Sequence, residues 1–418
     1  MNTLIWSLLI AVSTVSARTP HNWYFDPSGD DAGGGDKTHP FRSIQRLNSL
    51  TLGAGDTLFF RSGQVFRGEL RLQDGAMGVP GHPIVITSYG QGKAVIDGGN
   101  GAAIALYKAA HIVLSNLELR GAGRKEGSTE SGLVINTCRD ITADSLIVSG
   151  FQKSGAYVYQ SVQIRLTRIL ARDNGFAGIS ADGPYGKRDC HHILIRDCRA
   201  ENNPGDPTNL SNHSGNGIVV GYCRNVLIEG CIATENGWDM PRVGNGPVGI
   251  WAFEADSVII RHCISFRNKT AKGADDGGGF DLDGGVAHSV IEHCVSYENE
   301  GSGFGLFQYA GASPWHDNSI HDCSSTNDGL VSAARAGVFI WNSSRDPRQL
   351  RNGSFYNNVV YNTNGAVIHY ASESEHRGFQ FHHNVFIASD SLITGMTGAD
   401  DVFGQNHWTG VLPDSSFH

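Results

Sequence analysis

The amino-acid sequence predicts an all-β chain, wound as a right-handed parallel β-helix solenoid of about ten coils with an N-terminal cap helix. Three observations carry that prediction. A phrase Ile-x-x-Cys recurs, ending at Cys198, Cys231, Cys263, Cys294 and Cys323, with separations of 33, 32, 31 and 29 residues. An asparagine follows the rung position five residues later, at Asn174, Asn203, Asn236, Asn268 and Asn299, with Asp328 closing the series. Glycine-led apolar segments (GIVVG, GIWAF, GFDLD, GFGLF, GVFIW) return in the same phase. A fixed period built of short apolar triplets marks a solenoid, whose units bury their apolar faces only against their neighbours.

The elements follow in chain order. Met1 to Ala17 is a short apolar run ending in the small residues Val15-Ser16-Ala17, too short to span a bilayer and patterned as an export signal. The expected localisation is therefore secreted, extracellular or periplasmic, with residues 18–418 as one domain and no membrane span. Within residues 18–105, read as the N-terminal cap and first coils, Phe41, Ile44, Leu47 and Leu50 fall at helical spacing. That short amphipathic helix is expected to close the first coil, since an open solenoid end exposes its core. From Leu117 onward the rung register runs through Leu146 and Ile169 to the cysteines, and then to Asn358 and Asn384. Alternation of apolar and polar residues within each unit is strand patterning. The cysteines become a stacked, buried row behaving as small hydrophobes, while the asparagines stack in a tight turn and satisfy backbone groups. Cys190 and Cys223 stand eight residues before adjacent rungs, so a disulfide between them is open.

Composition narrows the partners. The chain has 54 glycines among 418 residues, only 17% charged residues and a net charge of −9. It is too apolar to be disordered, and too acidic to favour nucleic acid or an anionic membrane. A monomer acting on a polysaccharide or oligosaccharide is expected.

The segments WYFDPSGDDAGGGDKTHPFRSIQ, GAGDTLFFRSGQVFRG and HPIVITSYGQGKAVIDGG resemble the opening of secreted pectate-lyase-like β-helix enzymes. Together with the repeats, the resemblance spans nearly all of the chain after the export signal. It implies the fold and a carbohydrate-active enzyme, and such enzymes include lyases, glycoside hydrolases and epimerases.

Chemistry is expected on the wall built by the glycine-led strands. If Ile218, Ile250, Phe280 and Phe304 point inward, strand alternation turns Tyr157, Tyr159, Asp182, Trp251, Phe253, Asp281, Asp283, Phe307 and Trp341 outward. A row of exposed aromatics suits the apolar faces of sugar rings; the alternative is that long loops bury it. Loops 202–216, 237–248 and 269–278 precede these strands and would wall a cleft. Asp275, Asp276, Asp281 and Asp283 make four carboxylates in nine residues.

Two chemistries fit. In one, Asp281 and Asp283, with Asp276 beside them, form an acid/base set for glycoside hydrolysis that needs no cofactor. Trp251, Phe253, Phe307, Tyr157, Tyr159 and Trp341 would serve as sugar platforms, with Asp182, Lys272 and Arg335 as polar contacts. In the other, Asp275, Asp276, Asp281 and Asp283 hold Ca²⁺ for β-elimination on a uronic-acid polymer. The run ADDGGGFDLD is similar to the calcium segment of pectate lyases that use a lysine base. Here no lysine follows Lys272, so Lys272 or Arg335 would have to substitute. A non-catalytic glycan binder on the same solenoid is a third reading. Glu254 is read as a strand end, and His213 and His316 as loop groups near substrate.

Overall fold

Strand alternation and the repeat build three long parallel sheets in the computed structural model, of 14, 12 and 13 strands. The model describes residues 19–411, apart from 73, 332–335, 364, 372–374 and 396–399. The export-signal expectation and Arg335 lie outside the described residues. Each chain turn contributes one short strand to each sheet, so strands adjacent in a sheet belong to successive coils. Paired strands begin at Asn22–Phe25 and persist to His407–Val411. No helix among the described residues is long and apolar enough to cross a membrane.

The repeated residues form ladders. Cys198, Cys231, Cys263, Cys294 and Cys323 are all buried, and Leu117, Leu146 and Ile169 continue the row beneath them. Cys190 and Cys223 sit in register on adjacent strands, both as free thiols. The asparagine turn is a continuous hydrogen-bonded column. Asn203 Nδ2 donates to Asn236 Oδ1 at 2.8 Å, Asn236 Nδ2 to Asn268 Oδ1 at 2.9 Å, and Asn268 Nδ2 to Asn299 Oδ1 at 2.9 Å. Asn299 Nδ2 passes the column to Asp328 Oδ1 at 2.8 Å. The same oxygens accept backbone N–H groups, as Asn236 Oδ1 does from Asn203 at 3.1 Å. Each side chain thereby satisfies a turn that neighbouring strands cannot reach. A second column of this kind, Asn358–Asn384–Asn406, carries the rung row beyond Cys323.

At the N-terminal end the helix is five residues long, Ile44–Asn48, shorter than the spacing implies. Ser43 caps it by accepting from the Arg46 N–H, and Ile44 and Leu47 are buried together with Phe41 and Leu50.

Replacing Asn236 by alanine removes a donor to the Ala200 carbonyl and strands the donors that used its oxygen. The expected loss is ~2–3 kcal/mol of unfolding free energy, read from the denaturant midpoint. A change within 0.5 kcal/mol would show that the column contributes packing alone.

Candidate active site

The 12-stranded sheet carries the glycine-led strands. Ile218, Val220, Ile250, Ala252, Phe280 and Leu282 join the main core, and Val219 and Trp251 form a separate apolar cluster on the outer face. The alternation thus falls as expected. Register then aligns the outer residues across coils. Val219 pairs with Trp251, Trp251 with Asp281, Asp281 with Gly305, and Gly305 with Phe339. Two residues on, Asp182 pairs with Gly221, Gly221 with Phe253, and Phe307 with Trp341. Asp283 extends this second row, its N–H donating to the Ala252 carbonyl at 2.8 Å.

Above these rows lies a cleft of about 860 Å³. Asp281 and Asp283 form its floor, with Trp251 and Phe253 on one side and Phe307, Phe339 and Trp341 on the other. The insertion loops make a wall by bonding to one another. Asn245 Nδ2 donates to Asn212 Oδ1 at 3.0 Å, and the Gly246 N–H donates to Asp276 Oδ2 at 2.8 Å. Arg124, from an earlier coil, holds the loops from behind through the Gly205 carbonyl and Asp239.

The electrostatics are unusual for carboxylates. Asp281 is 3% exposed and its Oδ1 has no hydrogen-bond partner among the described residues. Burial, then the nearby Asp283 and Asp276, pushes its carboxyl well above the ordinary range. Burial lifts Asp283 to about 6 against a single backbone donor, Gly284, with Glu254 adding repulsion. Asp276 reaches about 7 for the same reasons, burial first and then Asp283 and Asp275. Asp182, three coils from Asp283, is lifted by burial to about 7. No lysine or arginine is among the described residues lining the cleft.

Several expectations are corrected by this geometry. Trp251 and Phe307 are buried at the cleft base rather than open platforms. The Trp251 indole N–H donates to Asn216 Oδ1 at 3.1 Å, and its ring packs edge-on against His213. Sequence register also expects Gly305, beside Asp281 on the next coil, to leave room for a substrate atom; Phe307 partly fills that room, its Cζ lying 2.6 Å from where a Cβ would stand. Tyr157 and Tyr159 lie side by side with their rings tilted, outside the cleft, and Lys272 is exposed outside it. His316 belongs to the strand Trp315–His321 of a different sheet. Glu254 is a buried support whose Oε1 accepts the Ser313 N–H at 2.9 Å.

The four expected calcium ligands do not fit a single cage. Asp275 is exposed, Asp276 is tied to Gly246, and no three of these carboxylates bring oxygens within 4.8 Å of one another. Strand alternation also turns Phe339 and His369 outward, and both line the cleft; sequence reasoning gave His213 little weight and missed Tyr222 and Tyr309, which line it too. Tyr222 and Tyr309 stand just past their strands, where alternation stops being a guide. Burial and the neighbouring Asp283 and Glu254 push the Tyr309 hydroxyl up, so it remains a donor. His213 is pushed down to about 4 by burial and Arg242, and stays neutral.

A family model described as Pel9A-like, right handed beta helix region, matches residues 23–327. Among solved structures, GH136 lacto-N-biosidase from Eubacterium ramulus is 16% identical, with 94% of this chain and 68% of that chain covered and a TM-score of 0.55. The Dettilon tailspike protein is 14% identical over 92% of this chain and 68% of its own, with a TM-score of 0.57. A mannuronic acid specific polysaccharide family 6 lyase from human gut microbiota is 13% identical over 92% and 82%, with a TM-score of 0.52. At these identities the likeness is one of fold. No curated protein sequence matches the chain.

Because the fold favours their protonated forms, these cleft carboxyls bind more protons in the folded chain than in the unfolded one between pH ~4 and ~7. Stability contributed by these groups is complete below pH ~4 and is lost as pH rises through the folded values. Asp281→Asn is therefore expected to be more stable than the parent at pH 8, by ~1–3 kcal/mol, with a shallower pH dependence of the denaturation midpoint. A variant less stable than the parent at pH 8 would mean that the buried carboxylate is compensated.

Proposed function

The chain belongs to the Pel9A-like right-handed β-helix family, and we propose that it is an exported carbohydrate-active enzyme that hydrolyses glycosidic bonds. The observation that carries the proposal is the cleft floor, where buried carboxyls of unequal acidity lie between aromatic side chains with no cationic residue among the described lining residues. Adjacent coils offer aromatic faces to a sugar chain running along the solenoid axis. The unpaired acids favour a neutral sugar over a uronate, whose charge would meet like charge.

Asp281 is the general acid. Its buried carboxyl holds its proton at neutral pH, and Asp283 and Asp276 reinforce that state. Asp283, lifted only to about 6, is ionised near neutral pH and is the general base. Residues two apart along a strand project from one face ~6.5–7 Å apart, which leaves room for a water between base and anomeric carbon. In the step itself the water oxygen bonds to the anomeric carbon as that carbon's bond to the leaving oxygen breaks. The water proton passes to Asp283 and the Asp281 proton to the leaving oxygen, giving inversion. Phe339 and Trp341 hold the sugar on one side of the pair, and Asp182 and Tyr222 offer hydroxyl contacts on the other.

The second reading is elimination on an acidic sugar, the activity type named for the gut family 6 lyase of similar fold. It requires a cation to offset the substrate carboxylate, and the dispersed aspartates give that reading less support.

Asp281→Asn and Asp283→Asn are each expected to lower kcat at least ~10³-fold, measured as reducing ends released from a panel of neutral and acidic glycans. Retention of near-parental kcat by both variants would remove the acid/base assignment. Trp341→Ala is expected to raise KM about tenfold with little change in kcat. Product absorbing as an unsaturated uronate, or activity lost to the calcium chelator EGTA and restored by Ca²⁺, would replace hydrolysis by elimination.

A further inference from the structure

Away from the cleft, at the corner where the chain leaves the cleft wall for the 14-stranded sheet, two columns of residues stack across coils. One column is Asp256, Ala287 and His316, joined by parallel bridges; the next residues in each coil are Ser257, His288 and Asp317. His288 and Asp317 both have left-handed backbone, with φ of 51° and 56°. The result is a convergence of two imidazoles and a carboxylate whose ligand atoms all lie within 4.8 Å of one another, the only such group of three among the described residues. The rings of His288 and His316 are 4.9 Å apart and nearly perpendicular.

We propose that this corner is a transition-metal site of the zinc class, with His288 Nε2, His316 Nδ1 and the Asp317 carboxylate as protein ligands and water completing the shell. The spacings fit. Zinc bonds of ~2.0–2.1 Å in a tetrahedron place ligand atoms ~3.3 Å apart. Asp317 Oδ2 stands 2.7 Å from His316 Nδ1 and 3.8 Å from His288 Nε2, each about half an ångström from that spacing, and the two imidazoles come within 4.8 Å of each other. Outer partners are already in place. Asp256 Oδ2 is 3.1 Å from His288 Nδ1, the contact that fixes the tautomer leaving Nε2 free for a metal. Asn352 Nδ2 donates to Asp317 Oδ1 at 2.9 Å, which turns Oδ2 toward the histidines. Arg188 offsets the Asp256 charge at 3.3 Å. His288 and Asp317 are half-exposed, which gives an ion an entry path. Imidazole with carboxylate selects zinc or its neighbours over calcium. A bound ion would tie two successive coils together, and a third through Asp256.

The test is independent of glycan turnover. The full chain, stripped with EDTA and titrated with ZnCl₂ by calorimetry, is expected to bind one equivalent at micromolar or tighter affinity. The His316→Ala/Asp317→Asn double variant is expected to weaken that binding more than 100-fold, and Asp256→Asn ~10–100-fold. His293→Ala/His321→Ala, in the stacked histidine ladder of the same face, is expected to leave it unchanged. Zn²⁺ should raise the denaturation midpoint of the parent and not of the double variant. Binding weaker than millimolar in the parent, or an unaltered equivalent in the double variant with native circular dichroism, would overturn the assignment.

Discussion

Parallel stacking of coils at a rung spacing of ~4.8 Å is the constraint from which the rest of this molecule follows. Each residue's nearest neighbours are its counterparts one coil above and below, so a side chain is repeated, or compensated, along the axis. Amide columns satisfy this rule well, because an asparagine donates one way along the axis and accepts the other. The column Asn174 to Asn299 runs without a break and ends on Asp328, whose carboxylate only accepts. Burial lifts Asp328 to about 6 despite those donors, so even the terminating residue bears the cost of an interior carboxyl. Stacked sulfur and aliphatic groups satisfy the rule without direction, which suits Cys198 to Cys323.

The cleft is where the rule is broken. Asp281 has Trp251 below it and Gly305 above, and neither supplies a donor. Asp283 receives one N–H from Gly284. Carboxyls with so few partners are costly to bury in charged form, and a stability-driven wall would place apolar residues there, as Val219 and Val248 do on neighbouring coils. Burial here comes from the insertion loops, which meet over the floor through Asn212, Asn245 and Asp276. The loops that wall the cleft therefore bury both Asp281 and Asp283, and the Gly284 N–H, which only Asp283 receives, together with the carboxyls beside Asp281, sets their acidities apart. Fold and chemistry are coupled at that point, since loosening the loops would rehydrate the carboxyls and bring them back toward ordinary acidity.

Much of this was legible in the sequence, for a physical reason. Ladders require the same residue type at the same phase, so the Ile-x-x-Cys phrase and its trailing asparagine carry the fold directly. Strand alternation likewise places Asp281, Asp283, Trp251 and Phe253 on one outer wall. Legibility ended where alternation ended. Tyr222 and Tyr309 lie in turns whose direction depends on the glycines beside them. Gly284, for instance, leaves room for the Tyr309 ring, whose Cδ1 would stand 2.5 Å from a Cβ. Nor does alternation register that a loop has folded over an outward residue, so Trp251 and Phe307 read as open faces when they are buried.

The turn Asp283–His288 joins the two features that the repeat alone does not require. Asp283 directly follows the cleft strand Gly278–Leu282, Gly284 and Gly285 continue the turn, and His288 is exposed at the corner. Glu254 from the previous coil packs against Gly285, and its Oε1 accepts from Ser313 of the following segment. Arg188 bridges the Glu254 and Gly285 carbonyls and the Asp256 carboxylate. This turn is thus held from three coils at once, by groups with buried or paired charge. In the proposed role of general base, Asp283 would need an orientation fixed to a fraction of an ångström, and a position just past a short strand does not supply that unaided. The restraints concentrated behind Asp283, drawn from side chains of three coils, set this turn apart from the corners held by amide columns.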